Sequence, residues 1–194
     1  IDRDMKSNRK PAFEREGFSG SQATSLGTAV HRVLEVLPSI AEADRREVSV
    51  SYLQHVGRHW PKGAVEQACE MVSTVMQNDA LRFIFSDDGQ SEVSVVGRLK
   101  TDIGERLITG QIDRLIVTDD RVHIVDYKTN RHVPAAVDEV QPEYIAQLAL
   151  YRHIIQDIYQ GKPVHCALLW TSAPLLMDIG EQKLHEALEL IKKG

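Results

Sequence analysis

Apolar positions along this chain change their spacing twice, and each change marks a different part of the fold. From residue 24 on, Ala29, Val30, Val33, Leu34 and Leu37 return every three or four positions, which lines one face of an α-helix. Thr24 or Ser25 is placed to cap its start and Pro38 to end it. Residues 40–59 predict one or two short helices. A second amphipathic pattern runs from Gly63 to about Met76 through Val65, Ala68, Cys69 and Val72. Near residue 91 the pattern becomes that of strands. Glu92–Leu99 is rich in β-formers, and Arg106–Thr118 carries Leu107, Ile108, Ile112, Leu115, Ile116 and Val117. Arg121–Lys128 sets Val122 and Ile124 before Val125. Asp102-Ile103-Gly104 and Asp119-Asp120 supply turns between them. Residues 91–128 therefore predict three consecutive antiparallel strands.

After Pro134 the helical spacing returns. Ile145, Leu148, Ala149, Ile155 and Ile158 line one side of a long helix from about Val137 to Tyr159, which Gly161-Lys162-Pro163 breaks. Val164–Thr171 reads as a short strand, Leu175–Ile179 as a candidate further strand, and residues 181–192 as a final helix. The core order is α-βββ-α-β: an α/β fold with a mixed sheet flanked by helices and a helical N-terminal extension. Residues 1–20 mix charges with Pro11, Gly17, Ser19 and Gly20 and read as a linker, leaving 21–194 as one domain. The chain starts at Ile1, and we read it as a piece of a longer protein.

Composition narrows the class. The chain has 194 residues, 42% hydrophobic and 26% charged, as expected of a soluble globular domain. No apolar run approaches the roughly 20 residues of a membrane helix, and the polar first residues are not a secretory leader. Cys69 and Cys166 are too far apart for a CxxC motif, so a reducing, cytoplasmic setting is the simplest expectation. The net charge of −5 argues against a self-sufficient DNA-binding protein, which usually presents a basic surface. It agrees with a site that gathers carboxylates around a cation.

The candidate chemistry lies in Gly110-Gln111-Ile112-Asp113-Arg114 and Ile124-Val125-Asp126-Tyr127-Lys128-Thr129. Alternate residues of a strand share a face, so Asp126 and Lys128 point one way and Val125 and Tyr127 the other. Asp113, on the neighbouring strand, comes within reach of Asp126 through a short hairpin. Two such carboxylates make a hard, oxygen-rich site suited to Mg²⁺ or Mn²⁺. A metal there polarises a phosphate oxygen and activates water. An adjacent lysine positions that water or stabilises the charge that builds on phosphorus. The set is equipped for phosphodiester hydrolysis.

These motifs, in this order, resemble the PD-(D/E)xK nuclease superfamily and, within it, the RecB-like nuclease domains. Those carry a G-x-x-D-R strand, a D-Y-K-T strand and then a helix with Q-x-x-x-Y, matched here by Gln147-Leu148-Ala149-Leu150-Tyr151. Gly27-Thr28-Ala29-Val30-His31-Arg32 looks like the family's upstream helix motif. The resemblance, over roughly residues 24–172, implies a restriction-endonuclease-like core with Asp113, Asp126 and Lys128 as catalytic residues. It implies His31, Asp113, Asp126 and the backbone carbonyl of Tyr127 as metal ligands. Gln147, Tyr151, Thr129, Glu92 and Arg114 are implied as substrate-binding or supporting residues. Arg131, His132 and Arg152 flank the motifs without individual support.

Within that family the pattern is most similar to the C-terminal nuclease domains of AddA-type helicase–nucleases. That similarity implies a Mg²⁺-dependent exonuclease acting on single DNA strands, on the 3′-terminated strand, during double-strand break repair. It further implies an AddB-like partner, a helicase portion in the same full-length chain, and a bacterial, nucleoid-associated setting. The AddB-type nucleases hold an iron–sulfur cluster on four cysteines, which two cysteines cannot supply. A non-catalytic DNA-binding or scaffold module and a stand-alone nuclease of the same fold are the alternatives.

Overall fold

The computed structural model describes residues 20–86 and 88–193. The expected linker, apart from Gly20, falls outside the described residues. The elements are α1 (Gly20–Val36), α2 (Glu42–Val56), α3 (Ala64–Gln77), β1 (Gly89–Thr101), β2 (Gly104–Val117), β3 (Val122–Lys128), α4 (Pro142–Ile158), β4 (Val164–Trp170), β5 (Leu175–Ile179) and α5 (Glu181–Lys193). The expected α-βββ-α-β order is present. The strands form one sheet in the order β1-β2-β3-β4-β5. β1, β2 and β3 are an antiparallel meander, β4 lies parallel to β3 after the α4 crossover, and β5 runs back along β4.

The differences from expectation have local causes. The helix expected from Val137 begins at Pro142, because Val137–Glu139 forms a separate 3-10 turn. Gln141 precedes a proline and is held in extended backbone, while Pro142 has no N–H to leave unpaired in the first turn. Residues 40–59 make one helix that buries only Ser49 and Leu53, so its sequence carries almost no periodic signal. The 3-10 segment Asp79–Phe85 has no counterpart among the expected elements. The Asn78 side chain accepts from the Ala80 amide at its start, and it buries Leu81, Ile84 and Phe85.

Two apolar layers cover the sheet. α1, α3 and the Asp79–Phe85 segment pack on Ile116, Val125, Tyr127 and Leu169. α4 and α5 pack on Ile112, Leu115, Ile124, Leu168 and Trp170. The division on β3 is the alternation read from the sequence. On β1 and β2 the alternation breaks. Ile112 lies in the α4 layer, yet Arg114, two residues on, reaches the Ile84 and Ser86 carbonyls of the opposite layer. On β1, Ser91 donates to the Glu35 carbonyl of α1 while Val93 packs with the α4 layer. Between Ser91 and Val93 sits Glu92 with φ 53°, in the left-handed region. Ser91 pairs with Arg114 and Val93 with Ile112, so the hairpin changes faces at the level of Glu92 and Asp113. Pairing between β2 and β3 also ends there, at Arg114 with Val125. Asp113 and Asp126 stand where the two strands part.

Candidate active site

Where β2 and β3 separate, their ladder needs a substitute, and Asp113 provides it. Its Oδ2 accepts the Tyr127 amide at 2.8 Å. Both aspartates are nearly sealed from solvent, Asp113 at 2% and Asp126 at 3% exposure. Lys128, on the same face of β3 as Asp126, places its Nζ 2.5 Å from Asp126 Oδ2. Two buried carboxylates thus stand against one ammonium, a charge imbalance that burial makes costly.

The two carboxyls respond in opposite directions. Burial pushes Asp126 above the usual carboxylate range; the Lys128 ammonium opposes this and the Asp113 charge adds to it. Burial also acts to raise Asp113, but the His31 imidazole, the Tyr127 amide and Lys128 outweigh it and hold that carboxyl below its usual range.

α1 brings in the imidazole. Gly27 is buried against the end of β3, and a Cβ there would meet Thr129 Oγ1 at 2.6 Å. The missing side chain lets the helix approach this closely. His31 is one turn further along the same face, with Nδ1 3.5 Å from Asp113 Oδ2. Its ring meets Tyr127 edge-on at 5.7 Å. The glycine and histidine of the upstream motif therefore work together: one sets the distance and the other uses it.

α4 closes the opposite side. Lys128 Nζ donates to Gln147 Oε1 at 3.5 Å, and Gln147 Nε2 donates to the Tyr151 hydroxyl at 2.9 Å. The Tyr151 oxygen also accepts the Gln111 amide at 3.3 Å. A Cβ on Gly110 would lie 2.3 Å from the Tyr151 ring, so the glycine of the β2 motif makes room for the tyrosine of the α4 motif. A residue that the sequence reading overlooked is Tyr144. Its ring centroid lies 3.9 Å from Lys128 Nζ. The legible signal was its position three residues before Gln147, on the same helix face.

Not every expected residue faces the site. Arg114 is 2% exposed and donates to the Ile84 and Ser86 carbonyls and to Ser91 Oγ. It is not placed to meet a substrate phosphate; it is a support that pins β2 beside Asp113. Tyr127 sends its ring into the α1–α3 layer, and only its backbone borders the aspartates. Thr129 packs against Gly27. Glu92 is half-buried, and its charge reaches Arg32 and Tyr127. Arg152 is spent on the Val164 carbonyl and Glu181. Cys69 and Cys166 lie in opposite layers of the sheet.

Among the described residues, no three His, Cys, Asp or Glu side chains are gathered closely enough to hold a metal ion unaided. The donor chemistry still fits a hard divalent ion. Mg²⁺ is typically held by one or two carboxylates, with water and substrate phosphate completing its shell. Asp113 and Asp126 offer that pair, with surplus negative charge for a cation to neutralise.

Asp113 on the kinked hairpin, the Asp-x-Lys segment of the neighbouring strand and the α4 contact to Lys128 form one polar site. The family model of the PD-(D/E)XK nuclease superfamily matches residues 6–189, and the chain belongs to that superfamily. The chain is also similar to the A-type component of the ATP-dependent helicase/nuclease from several bacteria. It is 26% identical to that of Lactobacillus johnsonii over 174 residues, covering 79% of this chain and 14% of the relative. Against Bacillus velezensis it is 28% identical over 172 residues, with coverages of 77% and 14%. Against Bacillus pumilus it is 25% identical over 182 residues, with coverages of 79% and 14%. The chain thus spans about one seventh of the relatives' length. Among the described residues no helix is long and apolar enough to cross a membrane.

Proposed function

We propose that this domain hydrolyses DNA phosphodiester bonds with a bound divalent ion, Mg²⁺ or Mn²⁺. The observation that carries the reading is the pair of buried carboxylates at the parting of β2 and β3, matched by a single ammonium. Asp113 and Asp126 would hold the ion, with the His31 imidazole and the Tyr127 main-chain carbonyl as further donors. When bound, the ion supplies positive charge that polarises the phosphate and lowers the pKa of water. Lys128 then has the chain's own part in the reaction. Its ammonium, beside Asp126, would donate to the phosphoryl oxygen on which negative charge develops. Gln147, held by Tyr151, orients that ammonium. His31 steadies the Asp113 carboxylate.

The similarity to helicase/nuclease proteins supports a substrate delivered by a motor. We infer exonucleolytic cutting of single strands, the 3′-terminated one, during double-strand break repair. The motor would lie in the same full-length chain and work with an AddB-like partner in the bacterial cytoplasm, at the nucleoid. The presence of both aspartates and the lysine weighs against a non-catalytic DNA-binding module.

The test is cleavage of end-labelled single-stranded DNA with Mg²⁺ and with EDTA, for the wild type, Asp126→Ala and Lys128→Ala. Metal-dependent cutting lost in both variants is expected. Equal cutting by the variants would displace the active site, and no cutting even after fusion to a helicase motor would favour the binding module.

A further inference from the structure

Lys128 is held on three sides, and the motifs account for only two of them. Asp126 Oδ2 lies at 2.5 Å and Gln147 Oε1 at 3.5 Å. The third side is the face of Tyr144, with its centroid 3.9 Å from Nζ. That separation is well inside the range at which a ring quadrupole attracts an ammonium. The ring is fixed from behind and at its tip. It leans on the buried Trp170 at 6.3 Å between centroids. Its hydroxyl accepts from Asn130 Nδ2 at 3.1 Å and faces Asn130 Oδ1 at 3.4 Å. The Asn130 carbonyl in turn accepts from Ser172 Oγ at 2.6 Å. The tyrosine therefore ties the first turn of α4 to the loop leaving β3, two residues after the lysine.

We propose that Tyr144 is a positioning residue for Lys128: its ring face confines the ammonium to the side of Asp126 and Gln147, where the reacting phosphate would lie. This rests on the nuclease reading for its catalytic consequence, but not for its geometry. A long lysine stem has many rotamers, and its compact charge does not fix direction by itself. Asp126 and Gln147 hold the head at two points, by an ion pair and a hydrogen bond. The ring supplies a wall that attracts rather than merely excludes. Loss of the ring would leave the lysine charged and present but distributed over other rotamers. The loss would fall on turnover more than on substrate binding.

Three variants separate ring, hydroxyl and bulk. Tyr144→Phe keeps the ring and loses the tether to Asn130. Tyr144→Leu keeps apolar bulk against Trp170 and loses the ring. Tyr144→Trp restores a larger ring face. The first readout needs no activity: the Lys128 ε-methylene protons, assigned by comparison with Lys128→Met, should show upfield ring-current shifts in NMR spectra of the protein. The shift should persist in Tyr144→Phe and vanish in Tyr144→Leu. The second is cleavage of single-stranded DNA with Mg²⁺. Tyr144→Leu should lose kcat by roughly tenfold, the scale of a partly desolvated cation–π contact, with KM within about twofold. Tyr144→Phe should stay within about threefold of wild type. Absence of the upfield shift in the wild type overturns the proposal, as does a Tyr144→Leu kcat equal to that of Tyr144→Phe. A wild type that shows the shift but cuts nothing defeats the nuclease reading and leaves the positioning of Lys128 supported.

Discussion

Replacing Gly27 with alanine sets two opposing effects against each other at one atom. Glycine inside a helix costs about 0.5–1 kcal/mol relative to alanine, and Gly27 lies well within α1. Considered on the helix alone, Gly27→Ala should stabilise the protein. But the new Cβ would sit 2.6 Å from Thr129 Oγ1, so helix or threonine must yield. Overpacking of this kind costs about 1–3 kcal/mol. The net effect should be a loss of about 0–2 kcal/mol. The decisive comparison is the Thr129→Ala background. There the clashing oxygen is gone, and Thr129 Cβ is 3.7 Å from the new methyl, an ordinary contact. In that background Gly27→Ala should stabilise by about 0.5–1 kcal/mol. Urea unfolding of the four proteins measures the coupling, expected at about 1–3 kcal/mol. Nuclease assays on the same set should show Gly27→Ala losing activity out of proportion to its stability, because the shifted helix carries His31 away from Asp113. A coupling below about 0.5 kcal/mol would refute the claim that close approach to Thr129 is why residue 27 lacks a side chain.

The other predictions concern charge and support. Asp126 has a raised carboxyl pKa in the folded protein, so the native state binds more protons than the unfolded chain, and its penalty at neutral pH is relieved as pH falls through the folded value. Asp126→Asn should therefore raise the Tm at pH 7.5 and shrink that gain toward acid, while abolishing cutting; a lower Tm at neutral pH would contradict the assignment. Asp113 has a lowered pKa, so its contribution is present above the unfolded carboxylate value and lost as pH falls through the folded one. Asp113→Asn should destabilise at pH 7.5 and cost progressively less below about pH 4, near the unfolded value. Adding Mg²⁺ should raise the wild-type Tm and leave that of Asp126→Asn nearly unchanged, as read by thermal shift with EDTA as control. Arg114→Met leaves the Ile84 carbonyl without its guanidinium donor and removes one contact each from the Ser86 carbonyl and Ser91 Oγ, and should cost roughly 3 kcal/mol in urea unfolding; a loss under about 1 kcal/mol would refute its role as a support.

How far the sequence reached can be judged residue by residue. The meander, the crossover helix and the partition of Asp126 and Lys128 from Val125 and Tyr127 were legible, because they follow from the periods of strand and helix and from which side chains water rejects. The start of α4 was not, since Val137 looks apolar enough to join a helix that Pro142 in fact begins. Leu175–Ile179, a candidate from its sequence, is a strand because β4 lies beside it to pair with. The fate of Arg114 was not legible either. Strand alternation gives it the face of Ile112, and only the left-handed backbone at Glu92 and the change of face it accompanies turn the guanidinium into the opposite layer.

By itself the sequence determined which residues are candidates for the chemistry and on what elements they ride: Asp113 on one strand, Asp126 and Lys128 on the next, His31, Gln147 and Tyr151 on helices. Those assignments depend on neighbours a few positions away, which a linear pattern records. The tertiary structure alone decided that the strands part between the two aspartates, that α1 approaches through Gly27, and that Tyr144 rather than another α4 residue faces the ammonium. Each of these depends on distances between segments remote in sequence. Such distances come from how the two layers pack on a kinked sheet, and no local periodicity encodes them.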